Sequence, residues 1–231
     1  DYTRAYEHFE HSIAIFRAVG DRYMSIQPLG GLGVLLAEQG RLAEGKRYAE
    51  ESLAIKRELG DRKEVGISLR DLGRIAWLQG HYDEARARLE EGVALSRELG
   101  WQMGLADILS TLAYADQVAG DIERALELYR EALGLSVTYK NILGYALDGL
   151  AQLEASRRHF QIAACLFGAA TARESLKTLQ THLMRSGHEH WMQVTQQALG
   201  DETFAALEQA GRAMTPAQSV AFALENSGGE R

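Results

Sequence analysis

The chain has 231 residues, 46% of them hydrophobic and 25% charged, which describes a folded globular protein rather than a disordered one. Its net charge of −7 argues against a surface dominated by phosphate binding, so no direct nucleic-acid binding is expected of it. Two prolines, a single cysteine (Cys165) and no run near the ~20 apolar residues of a membrane span point to a nearly all-helical chain without disulfide or membrane anchor, suited to the reducing cytoplasm.

The N-terminus, "DYTRAYEHFEHSIAIF", is charged and amphipathic and so unlike a signal peptide. It lacks a start Met and opens in the middle of a repeat, as expected of a piece of a longer protein. The repeat shows in "LGVLLAEQGRLAEG" (32–45), "LGRIAWLQGHYDEA" (72–85), "LAYADQVAGDIERA" (112–125) and "LAQLEASRRHFQIA" (150–163), a period of 40, 40 and 38 residues. A second echo runs through "AIFRAVGD" (14–21), "AIKRELGD" (54–61) and "ALSRELGW" (94–101), and drifts in "GLSVTYKN" (134–141). Each unit therefore reads as a first helix, a tight break, a second helix and another break.

Gly20, Gly60 and Gly100, and likewise Gly40, Gly80 and Gly120, follow helical runs where a left-handed C-terminal cap favours a residue without Cβ. Asp21 and Asp61 stand ready to cap the next helix. Glu44, Asp83, Glu84 and Glu123 fall in the first turn of second helices, where they favour the dipole. Small residues recur at Gly33, Gly73, Ala113 and Ala151 and at Ala5, Gly45, Ala85, Ala125 and Ala163, which lets paired helices approach to ~8–10 Å. Tyr2, Leu42, Tyr82, Ile122 and Phe160, with Phe9, Ala49, Leu89, Tyr129 and Phe167, are expected to fill the gaps between them. Mixed-charge runs such as "EARARLEEGVALSRELG" read as solvated face with i,i+4 pairs.

Beyond the repeats, helices are expected over roughly 180–199, 201–213 and 215–225, the last opened by a Thr215–Gln218 capping box with Pro216 in its first turn. "NSGGER" closes as a linker.

The "L-G-x6-G-x-Y-x2-A" pattern of 72–85, with Gly73, Gly80, Tyr82 and Ala85 at its signature positions, resembles the tetratricopeptide repeat. The unit exceeds the usual ~34 residues, and the motif's final Pro is absent. The resemblance implies an all-α, tetratricopeptide-like helical-hairpin solenoid wound as a right-handed superhelix with a C-terminal helical cap. The array spans 1–176 (half repeat 1–20, then repeats 21–60, 61–100, 101–138 and 139–176), the cap 177–226 and the linker 227–231. The tail has its own resemblance: "AACLFGAATARESL" followed by "ALGDETFAALEQAGRAMTPAQSVAFALE" is similar to the end of the sensor arm in large bacterial signalling ATPases, including LuxR-type regulators. That similarity implies neighbouring ATPase and DNA-binding modules outside these residues and a role in sensing an inducer or partner. A free-standing scaffold for protein assembly is the alternative.

No Gly-x4-Gly-Lys-Ser/Thr occurs, and "GGLG" (30–33) follows no strand, so its glycines read as helix packing. His182, His188 and His190 lack zinc-site spacing and read as solvated; Cys165, on an apolar helix, reads as a buried thiol. No catalytic, metal or cofactor site is expected. In solenoids of the family resembled, the first helix of each repeat lines the concave groove, which binds a protein, a peptide or a small effector. Carried onto this register, the groove positions are Gln27, with Val34 and Glu38; Arg70, Asp71, Arg74 and Trp77; Asp107, Tyr114 and Gln117, with Ser110; and Tyr145, Asp148 and Gln152. Arg70 and Arg74, one turn apart, can clamp a carboxylate or phosphate.

Overall fold

The computed structural model describes residues 2–173 and 182–227, with the backbone alone at 140, 141 and 182–184. Within them the chain forms twelve α-helices: α1 Tyr2–Ala18, α2 Arg22–Glu38, α3 Leu42–Glu58, α4 Arg62–Leu78, α5 Tyr82–Glu98, α6 Gln102–Ala119, α7 Ile122–Ser136, α8 Lys140–Ser156, α9 Phe160–Thr171, α10 His182–Leu199, α11 Asp201–Arg212 and α12 Pro216–Asn226. Two compact units emerge, Asp1–Ile108 and Leu109–Arg231, with the division inside α6.

The breaks follow the sequence chemistry. Gly20, Gly40, Gly60, Gly80, Gly100 and Gly120 all have positive φ, the left-handed geometry that an L side chain resists. Asp21 accepts from the Met24 amide at 3.0 Å and Asp61 from the Glu64 amide at 3.2 Å, so both cap as their positions suggest. At the third such position Trp101 replaces the aspartate, and its ring lies over Gly104 and beside Gly66, where any Cβ would meet it. In the last hairpin Arg158 takes the left-handed turn, at φ 68°, without glycine's freedom.

In the first unit, α2 packs on α3, α4 on α5, and α3 on α4. The approach is close because it happens at small residues. A Cβ on Gly45 would stand 2.6 Å from the Gly33 carbonyl oxygen, and one on Gly33 would stand 2.9 Å from that of Gly45. Gly73 makes the same room for Leu89. Successive apolar clusters then bridge the pairs: Ile13, Ile26, Leu29, Leu32, Leu36 and Ile55, followed by Leu53, Val65, Leu69, Leu72 and Ile75. Each pair buries its remaining apolar face against the next one.

Two expectations change. Tyr2 and Tyr82, placed by the pattern in the gaps, are 53% and 49% exposed, because the first residue of a second helix sits at its rim. The charged runs pair between helices as well as at i,i+4. Arg17 meets Glu51 at 2.7 Å and Arg57 meets Glu91 at 2.6 Å, both 34 residues apart; Arg22 meets Glu58 at 2.6 Å and Arg62 meets Glu98 at 2.5 Å, both 36 apart. The same register therefore joins consecutive second helices, or a first helix to the second helix of its own pair. Of the i,i+4 kind, Arg88 reaches Glu84 at 3.5 Å and Arg212 reaches Glu208 at 2.5 Å.

In the second unit α8 packs on α7 and α9, and α11 crosses α9 at backbone contact, where a Cβ on Gly168 would overlap the Glu208 carbonyl and one on Gly211 that of Cys165. α9 ends at Thr171, and the expected continuation over 174–176 lies outside the described residues. α10 lies against α8, α9 and α11, and α12 against α7, α8 and α9. The Thr215–Gln218 capping box forms in both directions, and Arg130 reaches past α12 to donate to the Ser227 carbonyl at 2.5 Å.

Substituting Gly45→Val drives a branched side chain into the Gly33 backbone and lowers unfolding free energy by about 2–3 kcal/mol. Arg158→Gly relieves the left-handed turn and raises it by about 1 kcal/mol. Equilibrium denaturant unfolding of both variants reads the two opposite signs.

Candidate functional site

The expected groove residues fall into two sets, one in each unit. In the first unit, Gln27 and Asp71 line a groove of about 570 Å³ between α1, α2, α3 and α4. Its floor is apolar, formed by Phe9, Phe16, Pro28, Val34 and Ile67, and Lys56 and Glu64 stand at its polar edge. The glycines of "GGLG" matter here through their size: a Cβ on Gly31 would strike the Phe9 ring at 2.6 Å. Gln27 is exposed, with its amide 3.4 Å from Glu64, and Glu64 is held at 3.1 Å by the buried ammonium of Lys56, which also donates to Ser68 at 2.9 Å.

Arg70 belongs to a cluster with its own chain. Its Nε and one terminal nitrogen donate to Asp71 Oδ1 at 3.1 and 2.9 Å, and its other terminal nitrogen pairs with Asp107. Burial disfavours the charged guanidinium, but Asp107 and Asp71 outweigh it and hold the arginine more firmly protonated than in water. The clamp expected of Arg70 and Arg74 is corrected accordingly: Arg70 already serves internal carboxylates, because aspartates stand beside it and on the first turns of α6. Arg74 remains 3.9 Å from Asp71, outside hydrogen-bonding range. Trp77 lies half-buried one turn further along α4.

In the second unit, Tyr114 and Tyr145 are half-buried on α6 and α8. Gln117 accepts from the buried Tyr129 hydroxyl at 3.1 Å, a ring admitted because Gly149 has no Cβ to meet it. Asp148 and Gln152 are not open wall. They are 4% and 2% exposed, the Gln152 amide donates to Asp148 at 2.8 Å, and α10 covers them. Gly187 brings the α10 backbone so near that a Cβ there would lie 2.8 Å from the Gln152 side-chain oxygen and 3.4 Å from the Tyr114 hydroxyl. The next residue, His188, pairs through Nδ1 with Asp148 and sets its ring edge-on to Phe167, centroids 5.4 Å apart.

Sequence spacing gave no warning of this contact. Asp148 and His188 are 40 residues apart in different kinds of segment, and the reading of His188 as solvated is overturned by its partner and its burial. His190 stays exposed, against Trp191, and the His182 side chain lies outside the described residues. Among the described residues, no three His, Cys, Asp or Glu side chains gather as a metal site requires. Cys165 is buried, and burial pushes its thiol pKa up, away from nucleophilic range.

Comparison with known proteins bears on this geometry. The tetratricopeptide-repeat family profile matches residues 25–98, the two pairs α2–α3 and α4–α5. Among solved structures, the chain is similar to the crystal structure of BtubC (BKLC) from P. vanneervenii, with a TM-score of 0.67 and 16% identity over 100% of this chain and 95% of that one. A search of curated sequences returned no significant match. The fold is all-α, built of tetratricopeptide-like repeats. Within it, α2, α4, α6 and α8 are the first helices of their pairs, and no described helix is long and apolar enough to cross a membrane.

The burial of two of these first-helix residues gives the second unit a pH dependence. Burial opposes protonation of His188, yet the hydrogen bond and charge of Asp148, with a smaller contribution from Glu189, raise its pKa above the ordinary 6.5. Tyr114, pushed up to about 12 by burial and then by Asp148, stays neutral throughout. A raised folded-state value means the stabilisation is fully present below pH ~6.5 and is lost as pH rises through the folded value. The stability difference between the native chain and His188→Gln is therefore largest near pH 6 and shrinks above it, as denaturant unfolding across a pH series will show.

Proposed function

We propose that the chain is a non-catalytic binding domain that takes a protein or peptide partner, or a small effector, on the first-helix face of its repeats. Tetratricopeptide repeats act as protein-interaction modules, and the observation that carries this reading is the first unit's groove, whose apolar floor is bordered by Gln27, Asp71, Lys56 and Glu64. Aromatic and arginine side chains dominate binding energy at such surfaces, and Arg74 and Trp77 continue the same helix beyond Asp71. The proposed contact set is Gln27, Asp71, Arg74 and Trp77, with Arg70 and Asp107 positioning Asp71. Tyr114, Gln117 and Tyr145 belong to the corresponding face of the second unit. Residues 1–176 form the array in this reading and 177–226 its cap.

In its finer form the domain is the sensor arm of a bacterial cytoplasmic regulator that carries an ATPase module and a DNA-binding module in the LuxR manner, a reading supported by the tail's resemblance alone. A free-standing scaffold for protein assembly is the alternative, since tetratricopeptide-like repeats over 25–98 suit protein interaction without further modules.

Arg74→Ala with Trp77→Ala abolishes capture of the native partner, identified by crosslinking in its source cell, while far-ultraviolet circular dichroism keeps its helical signal. Undiminished capture by the folded double variant removes the first-unit face from the account. Sequencing the parent gene on both sides separates the two finer readings: P-loop and helix-turn-helix coding regions support the regulator, and further repeats alone support the scaffold.

A further inference from the structure

The first unit's groove has two unlike walls. α3 receives α2 through Gly45, Ser52 and Ile55: Gly45 admits the Gly33 backbone, the Ser52 hydroxyl donates to the Ile26 carbonyl at 3.0 Å, and Ile55, 5% exposed, joins the apolar cluster of α2. One period earlier, α1 carries Ala5, Ser12 and Ile15 in the same register. Here the Ser12 hydroxyl, at the groove, donates to the His8 carbonyl of its own helix at 2.8 Å, and Ile15 is 47% exposed. α1 therefore repeats the face on which α2 rests and leaves it open. The α4 wall is acidic. The groove lining holds two carboxylates, Glu64 and Asp71, against one ammonium, that of the buried Lys56. Glu64 meets Lys56 and Gln27 through Oε2, and Asp71 meets Arg70 through Oδ1. Among the described residues, nothing donates to Glu64 Oε1 or to Asp71 Oδ2. Arg70 is itself shared with Asp107. The two carboxylates stand at i and i+7 of α4, with Ile67 between them, about 10.5 Å or two turns apart.

We propose that this groove takes an amphipathic helix of a partner protein, with lysine or arginine along the edge that faces α4. The α1 wall supplies the reason for a helix, since its residues match those that seat α2 on α3, and Ser12 is placed to donate to a carbonyl of the incoming helix as Ser52 does to Ile26. The α4 wall supplies the reason for the charge. A helix lying along α4 brings cations two turns apart to Glu64 Oε1 and Asp71 Oδ2, and this complementarity fixes its orientation. Its apolar face meets Phe16, Val34 and Ile67, the usual way in which a groove holds a helix. The proposal rests on the reading of the first-unit groove as a binding surface and adds the shape and charge of the partner.

The probe is a labelled synthetic helix of about four turns, with leucine on one face and lysines at i and i+7 along its edge. It is titrated by fluorescence anisotropy against the full 231-residue chain. The control peptide carries glutamate in place of those lysines. The native chain binds the lysine peptide at least ~10-fold more tightly than the control, and Glu64→Gln/Asp71→Asn removes that preference. Gln27→Lys, at an exposed position beside Glu64, weakens the lysine peptide as well and gives the same readout where the double variant folds poorly. Equal binding of the two peptides by the native chain, or a preference that Gln27→Lys leaves intact, overturns the proposal. So does a native chain that sediments as a dimer and turns monomeric on Ile15→Glu, since a second copy is then the occupant. If Arg74→Ala/Trp77→Ala loses the native partner while Gln27→Lys captures it undiminished, the first-unit reading stands and this one falls.

Discussion

Everything in the first unit depends on two helices touching backbone to backbone. At Gly33 and Gly45 the approach leaves no room for a Cβ on either side, and at Gly73 the space goes to Leu89. Such closeness fixes which side chains face the following pair and so which apolar cluster each can complete. It also fixes the register in which Arg17, Arg22, Arg57 and Arg62 find glutamates 34 or 36 residues on. Those pairs are half-exposed and add modest, salt-sensitive support. Their recurrence at the same offsets follows from the close approach and does not cause it.

The polar residues divide along a functional line. Some serve the fold: Glu154 is buried against His159 at 2.6 Å and Arg157 at 3.3 Å, and Arg70 ties α4 to α6 through Asp107, while Lys56 does both, holding Glu64 and Ser68 beside the first unit's groove. Others border faces that the repeats leave available, and these carry the proposed function. The two units use the same kind of face differently. In the first, an apolar floor lies open between polar edges; in the second, a carboxylate and an amide are covered by the chain's own helix. A first helix that buries Asp148 and Gln152 without a following repeat needs some occupant, and α10 provides it.

Much of this was legible in residue order because it is local. Period, helix boundaries, glycine caps, aspartate caps and the capping box at Thr215 each depend on a few consecutive residues and the backbone geometry they prefer. The tyrosines at 2 and 82 misled because periodicity marks a position without saying how far it is from the rim. The charged runs show i,i+4 pairs such as Glu84–Arg88 but not the pairs between helices, since only the close packing of pairs brings Arg57 to Glu91 or Arg62 to Glu98. Residue order marks Asp148 as a first-helix residue but not as a buried one, since its partner His188 belongs to a segment outside the repeat pattern. Arg70 has the chemistry of a clamp, and that same chemistry recruits Asp71 and Asp107 first.

The central claim is that the open first-helix face of the first unit is where a partner seats. Amide hydrogen exchange of the full chain with and without that partner tests it most directly. Added protection should concentrate on α1, α2 and α4, around Gln27, Asp71 and Trp77, and leave α9, α11 and α12 unchanged. Protection confined to helices other than α1, α2 and α4 would contradict the account.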